Sequence, residues 1–349
     1  MIGNPDNNFQ KNISELGLIL NYNGNAGTSL PDNQILYLQE NYSFPRNKIW
    51  NNKSSHNVPE NFHFIHFTTI DSLKSILKTK SIRLYNFKNM FDPIEYDYAG
   101  RIFEISEEKS NEDKRNIFSL SGCDTSLLKA NQTSGQVKFN LWRLFGKNGE
   151  GAVIVFKIAN NQSNWKDFHI GKINYGPSVK GRLKKIYKSY LELKKQHKDY
   201  YHIDFRKLFP FYKSNLYKPE NEIRIIYDFT KKLIGNIEIR SPKDIFIFPD
   251  IKEDMEKTYK KYSNNREENK IKYISLPLTE KGFEQIDGED SPDWNAGIPK
   301  LKIHKIILGF QYKDEIWRKL ILDEITDLIK TSLDYSPSIE LSRFIKSYW

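Results

Sequence analysis

Residues 61–86 read NFHFIHFTTIDSLKSILKTKSIRLYN, and the hydrophobic period changes twice within them. FHFIHFTT is rich in aromatic and β-branched residues and reads as a strand. IDSLKSILKTK then places Ile70, Leu73, Ile76 and Leu77 on one helical face, with Thr69 or Asp71 standing where an N-cap is needed. SIRLYNF returns to strand composition. The stretch therefore predicts a strand-helix-strand unit from Asn61 to Asn86, with His66 on the first strand and Tyr85 on the second. His63 and His66 differ in parity, so they point to opposite faces of their strand.

Outward from this unit, strands are expected at NIFSLS (116–121), GAVIVFKI (151–158), EIRIIYDF (222–229) and KIHKIILGF (302–310). Helices are expected at Ser178 to Lys198, Ile251 to Tyr262 and Asp314 to Thr331. In the last, Ile316, Leu320, Ile321, Ile325 and Leu328 form an apolar stripe. Strands and helices without regular βαβ alternation indicate an α+β fold rather than a doubly wound sheet. Residues 1–59, rich in Asn, Ser, Gly and Pro with the short apolar patches LGLIL and ILYL, read as an arm or small appended layer. Residues 60–349 read as one domain with insertions near 178–215 and 250–300. Within these, Ser263 to Lys270 and the acidic Gly288 to Asp293 look like surface segments. There is no internal repeat.

The 349 residues are long enough to bury a sizeable core, and 38% hydrophobic with 28% charged residues is a globular composition. The mean hydropathy of -0.66 agrees with a polar surface. No apolar run is long enough to span a bilayer. MIGNPDNNFQKNISELG lacks the basic, apolar, small-residue order of a secretory signal, so a cytoplasmic setting is expected. The single cysteine, Cys123, excludes an internal disulfide and reads as a small buried hydrophobe rather than a nucleophile. A net charge of +10, from 54 Lys and Arg against 44 Asp and Glu, could attract polyanions or reflect an AT-rich coding sequence.

GxxxxGK[ST], GxGxxG after a strand, GxSxG and HExxH are all missing, which removes the standard nucleotide-triphosphate, Rossmann, esterase and zincin readings. The seven histidines show no paired zinc spacing, and no metal is predicted. What remains is polar residues on strands. Glu220 and Glu222 lie two apart at a strand entrance, so the spacing points both to one side. Such like charges are costly unless a cation or ligand uses them. The alternative is a solvated edge with Glu222 paired to Arg224 or Lys218. Between Lys180 and Lys198, KGRLKKIYKSYLELKKQHK carries eight Lys or Arg and one acid, with Tyr187 and Tyr190 interleaved. Such a helix is either a solvated face or a surface that tracks phosphates and stacks bases.

The order of histidine on a strand, helix, tyrosine closing the next strand, and Glu-x-Glu opening a late strand resembles the ADP-ribosyltransferase superfamily in its histidine-tyrosine-glutamate class. That resemblance implies a split β-sheet core with peripheral helices and NAD as substrate. It implies that His66 binds the ribose, Tyr85 stacks on nicotinamide, Glu222 binds the ribose 2'-hydroxyl and Glu220 orients or deprotonates the acceptor. At a finer level the chain resembles a bacterial family known as domain of unknown function 2971. The matching stretches are FIHFTTIDSLKSILKTKSIRLYN, FDPIE (91–95), FSLS (118–121), LWRLFGKNGEGAVIVF (141–156), INYG (173–176), the YKSNLYKPENEIR run and KIILG. Phe91 departs from the usual Asn of that family, and Phe145 from a common Tyr.

IHFTTIDSLKSIL also looks like the start of DarT-type toxins, which ADP-ribosylate DNA bases. By these resemblances Thr68, Ser119 and Trp142 join the NAD site. Ser119 and Ser121 share one strand face, like the Ser-x-Ser strand of the arginine-serine-glutamate class, while Trp142 reads equally as core. Asp92 and Glu95 would position substrate, or Asp92 would cap a turn before Pro93. Lys184, Lys185 and Lys188 would contact a nucleic-acid acceptor, RNA or DNA. The implied activity is that of a toxin or antiphage effector, with an antitoxin as a possible protein partner. The competing readings are a protein-directed transferase or NAD glycohydrolase, and a non-enzymatic nucleic-acid-binding module.

Overall fold

A computed structural model describes residues 18–22, 34–40, 62–89, 94–129, 135–158, 168–197, 201–204, 208–228, 273–279, 301–311 and 315–342. Its strands are β1 (Leu18–Tyr22), β2 (Gln34–Glu40), β3 (His63–Thr68), β4 (Ser81–Asn86), β5 (Ile117–Asp124), β6 (Ala152–Ile158) and β7 (Phe168–Lys172). They continue with β8 (Asn174–Tyr175), β9 (Tyr201–Asp204), β10 (Tyr212–Lys213), β11 (Glu222–Asp228), β12 (Tyr273–Pro277), β13 (Leu301–Leu308) and β14 (Ser338–Leu341). The helices are α1 (Ile70–Lys78), α2 (Ile94–Gly100), α3 (Glu107–Asn116), α4 (Gly135–Phe145), α5 (Pro177–His197) and α6 (Glu315–Ser332). The architecture is α+β around an open mixed sheet.

The opening unit forms as β3, α1 and β4. Thr69 rather than Asp71 caps α1, its hydroxyl accepting from the Ser72 amide at 3.1 Å, and Leu73 and Leu77 turn inward to full burial. β3 and β4 are not neighbours along their length. Both pair antiparallel with one edge of β5, at opposite ends of it. β4 takes Phe118 and Ser119, while β3 takes Cys123 and Asp124. The sheet therefore forks at Leu120 to Gly122. The other edge of β5 is paired without interruption to β11, from Glu222 opposite Cys123 to Asp228 opposite Ile117. β7 lies beyond β11. On the far side of the fork, β3 leads through β6 and β13 to β14, and β4 leads to β12.

Alternation gives the sheet two apolar faces. One carries Phe64, Phe118, Leu120, Ile154, Phe156, Ile223 and Ile225 and is covered by α1 and by Ile325 and Ile329 of α6. The other carries Ile117 and Ile226 beneath α2 and α5, and Ile65, Cys123, Val153 and Val155 beneath Leu141 and Trp142 of α4. Where α4 turns back into β6 the backbones touch. A Cβ on Gly151 would run into the Thr68 carbonyl, and one on Gly309 into the Gly149 carbonyl. The GKNGEG and KIILG stretches owe their glycines to this crossing.

Leu18 to Leu20 of the first apolar patch lie in β1 and ILYL lies in β2, which pair with each other, and β2 pairs in parallel with β9. β12 falls inside the expected insertion at 250–300, where it serves as a sheet-edge strand instead. The expected helix Ile251 to Tyr262, and the segments Ser263 to Lys270 and Gly288 to Asp293, lie outside the described residues. No helix among the described residues is long and apolar enough to cross a membrane.

Candidate functional site

β11 places Glu222 and Arg224 on the same face as Ile226, with Glu222 only 3% and Arg224 1% exposed. Charges this deep require partners. The Arg224 guanidinium serves three partners, and its Nη2 also lies 2.6 Å from Glu222 Oε1. Its Nε donates to Glu222 Oε1 at 2.7 Å, Nη1 to the Pro210 carbonyl at 2.7 Å, and Nη2 to Glu95 Oε2 at 2.6 Å. The Lys213 ammonium on β10 is the second cation. It lies 2.6 Å from Glu95 Oε1, 3.0 Å from Glu220 Oε2 and 2.6 Å from Glu222 Oε2. Three carboxylates thus share two cations, leaving one negative charge in excess if all are ionised. The three carboxylates converge on an ammonium, and no group of three or more His, Cys, Asp or Glu able to hold a metal occurs among the described residues.

The groups of this cluster differ in proton affinity. Burial opposes ionisation of Glu222, but Arg224 and Lys213 hold its carboxyl below the usual range. Burial raises Glu220, the neighbouring Glu222 charge adds to this, and Lys213 only partly offsets it. The Glu220 side chain is also more open, at 20% exposure. Lys213 is held above its ordinary value despite burial, chiefly by Glu222. Burial and the Glu222 charge push up both the Cys123 thiol and the Tyr175 hydroxyl. Cys123 is accordingly an inert buried thiol, and the Tyr175 hydroxyl accepts from the Glu222 amide at 2.9 Å.

Two expectations are corrected here. Glu220 does not reach the cluster by strand alternation, because it ends the 3-10 turn Asn215–Glu220, followed by Asn221 with a left-handed φ of 43°. The two carboxylates meet at the Lys213 ammonium. Glu222 is indeed paired to Arg224, but in the interior rather than at a solvated edge.

The remaining residues border the fork. Tyr85 stands opposite Ser119 across the β4–β5 ladder, and Ser121 stands opposite Arg224 across β5–β11. All four share the face that holds Glu222. The buried Ser119 hydroxyl meets no hydrogen-bond partner among the described residues. Tyr85 meets Tyr273 of β12 edge to face, with centroids 6.1 Å apart.

By parity His66 and Thr68 belong to the opposite face with Phe64. At the fork, however, the His66 ring reaches the Ser121 carbonyl, with Nδ1 to O at 2.9 Å. Its pKa is lowered by burial, partly offset by that carbonyl. A carbonyl only accepts, so Nδ1 carries the proton, and the neutral ring leaves Nε2 as an acceptor. Thr68 is 6% exposed at the end of β3. His63 instead meets the ring of His304, with centroids 4.7 Å apart.

Trp142 is core, packed edge to face on Phe67 at 5.3 Å and on Phe310 at 6.0 Å. Lys184, Lys185 and Lys188 lie on the exposed side of α5. Tyr187 and Tyr190 are not free stacking rings: they pack against the cluster of Phe103 and Phe209, and the Tyr187 hydroxyl donates to Glu104 at 2.8 Å. Leu183, Tyr187 and Tyr190 recur at helical spacing and bury this side of α5, which leaves the lysines as its solvated face. Asp92 lies outside the described residues.

Sequence reasoning missed Lys213 as a member of the site. The available signal was its place at the end of Leu208 to Tyr212, an unbroken buried run in which a lysine must find carboxylates.

A model of the family described as "Protein of unknown function (DUF2971)" matches residues 141–225. That supports the family resemblance over α4 to β11. The matched span holds Lys213, Glu220, Glu222 and Arg224, while their partner Glu95 comes from outside it. No curated protein and no solved structure matches the chain.

Proposed function

We propose that the protein is an NAD-dependent ADP-ribosyltransferase that modifies a nucleic acid, with the reacting ribose held at the fork of the sheet. The observation that carries this reading is the fork itself. His66 and Tyr85 border it from two strands, and Glu222 and Glu220 lie on the far side of β5. A split sheet with this distribution of histidine, tyrosine and glutamate is what the superfamily resemblance implies.

The chemistry follows from the groups. Nicotinamide leaves ribose C1' with the bonding pair, and positive charge develops on the ring. A carboxylate held ionised in a water-poor setting stabilises that charge without reorganising, and Glu222 meets this description. The acceptor then bonds to C1' and releases a proton. Glu220, less buried and with a raised pKa, is the carboxyl suited to take it. His66 Nε2 accepts from a ribose hydroxyl, and Tyr85 offers a ring to nicotinamide. The exposed lysines of α5 and the net charge of +10 favour a polyanionic acceptor.

The test is incubation with labelled NAD and separate RNA, DNA and protein pools. Label should enter a nucleic-acid pool with the wild-type chain and not with Glu222→Gln. Label in the protein pool would redirect the acceptor, free ADP-ribose alone would indicate a glycohydrolase, and nucleic-acid binding without NAD turnover would defeat the enzymatic reading. Toxicity on expression, relieved by Glu222→Gln, would fit a toxin or antiphage effector.

A further inference from the structure

We infer that Lys213 is the positioning residue of this site, holding Glu95, Glu220 and Glu222 in one frame and deciding which of them exchanges a proton. Its side chain is 4% exposed and, among the described residues, its ammonium is the one cation in contact with all three carboxylates, within 3.0 Å of each. Those carboxylates come from three different places: the start of α2, the end of the Asn215–Glu220 turn and the start of β11. Glu220 and Glu222 are joined through the left-handed Asn221, whereas nothing in the local sequence fixes Glu95 relative to either of them. Arg224 cannot replace this role, because its contacts are to Glu95, Glu222 and the Pro210 carbonyl.

The charged and titratable groups around the ammonium are Glu95 from α2, Glu220 from the turn, Glu222 and Arg224 from β11, Tyr175 from β8 and Cys123 from β5. The Tyr217 ring lies 5.0 Å from Nζ. Glu222 retains the Arg224 guanidinium when Lys213 is removed, and so does Glu95. Glu220 has no second cation among the contacts described, so Lys213 is what offsets its burial and the neighbouring carboxylates.

The inference deepens the proposed transferase reading and rests on it only for the consequence in turnover. Its first readout is independent of NAD. Carbon-13 NMR titration of glutamate-labelled protein, with the Glu220 signal assigned by its loss in Glu220→Gln, gives the Glu220 pKa directly. In Lys213→Met, which keeps length without charge, that pKa should rise by about one unit or more. The acid limb of the NAD-turnover profile should move upward with it. An unchanged Glu220 titration in folded Lys213→Met overturns the inference.

Should Lys213→Met fail to fold, Lys213→Arg decides. The charge is kept, so Glu220 should titrate within about half a unit of wild type, while the planar fork cannot bring one nitrogen to three carboxylates. kcat should then fall at least about tenfold with KM little changed. A Glu220 pKa displaced by a full unit in Lys213→Arg, or wild-type kcat, contradicts the positioning role. If the wild-type chain turns over no NAD, the transferase reading fails, and the carboxyl titrations still test Lys213.

Discussion

At the residue scale, the site consists of charges that the sequence names but does not assemble. Spacing singles out Glu222, and its partner Arg224 is legible as the residue two further along the same strand face. Lys213 and Glu95 were not legible as partners, because 118 residues separate them and nothing local links a lysine on β10 to a carboxylate at the start of α2. The pairing changes what a substitution does. Glu222→Ala strips the Arg224 Nε of its acceptor and one carboxylate from Lys213, so it should cost about 3–5 kcal/mol of stability. Glu222→Gln retains a hydrogen-bonding side chain of the same shape and should cost clearly less. Urea unfolding of both variants checks this, and equal stabilities would show that the buried pairing contributes little. For the same reason, loss of labelling in Glu222→Ala would not distinguish chemistry from fold, whereas in Glu222→Gln it would.

At the element scale, the strongly periodic segments were the legible ones. β3, α1, β4, β6, β11, β13 and α6 all follow from apolar alternation or a helical stripe. α3 was not legible, because EEKSNEDKRN has no apolar stripe. It is held instead by polar contacts, with Lys114 buried against Asp97 at 2.7 Å and Tyr96 donating to Asp113 at 3.2 Å. The basic helix α5 follows the expected run of charge, and its rings pack rather than stand free, since a tyrosine four or seven residues from the buried Leu183 faces the core. Tyr187→Ala should therefore lower stability while leaving nucleic-acid affinity nearly unchanged. Reversing the charge of Lys184, Lys185 and Lys188 should weaken binding and reduce the salt slope by roughly two to three. Filter binding across a salt series checks both, and an unaltered slope would take α5 out of the interface. Thr69→Ala, which removes the α1 cap, should cost about 1 kcal/mol by thermal or urea unfolding.

At the scale of the whole molecule, the fork is a tertiary feature. It exists because β3 and β4 share one edge of β5, and that sharing is invisible in any window of the sequence that predicted both strands. His66 reaches into the fork neutral and half-buried, which ties stability to pH. Its pKa is lowered from 6.5, so the unfolded chain takes up the proton first. The stability it contributes is fully present above about pH 6.5 and is lost as pH falls through the lowered value. Glu222 acts in the same direction at lower pH, below its ordinary 4.5, and Glu220 in the opposite direction. The difference between wild type and His66→Gln isolates the histidine: the wild type should lose more stability between pH 7 and 5, and parallel profiles would contradict this.

The central claim is that the fork is an NAD site, and a crystal structure with NAD bound tests it most directly. The account predicts nicotinamide against Tyr85, a ribose hydroxyl within hydrogen-bonding distance of His66 Nε2, and the ribose facing Glu220 and Glu222. NAD seated elsewhere, for example in the surface cleft lined by Ile70, Lys74, Trp317 and Leu320, would contradict it.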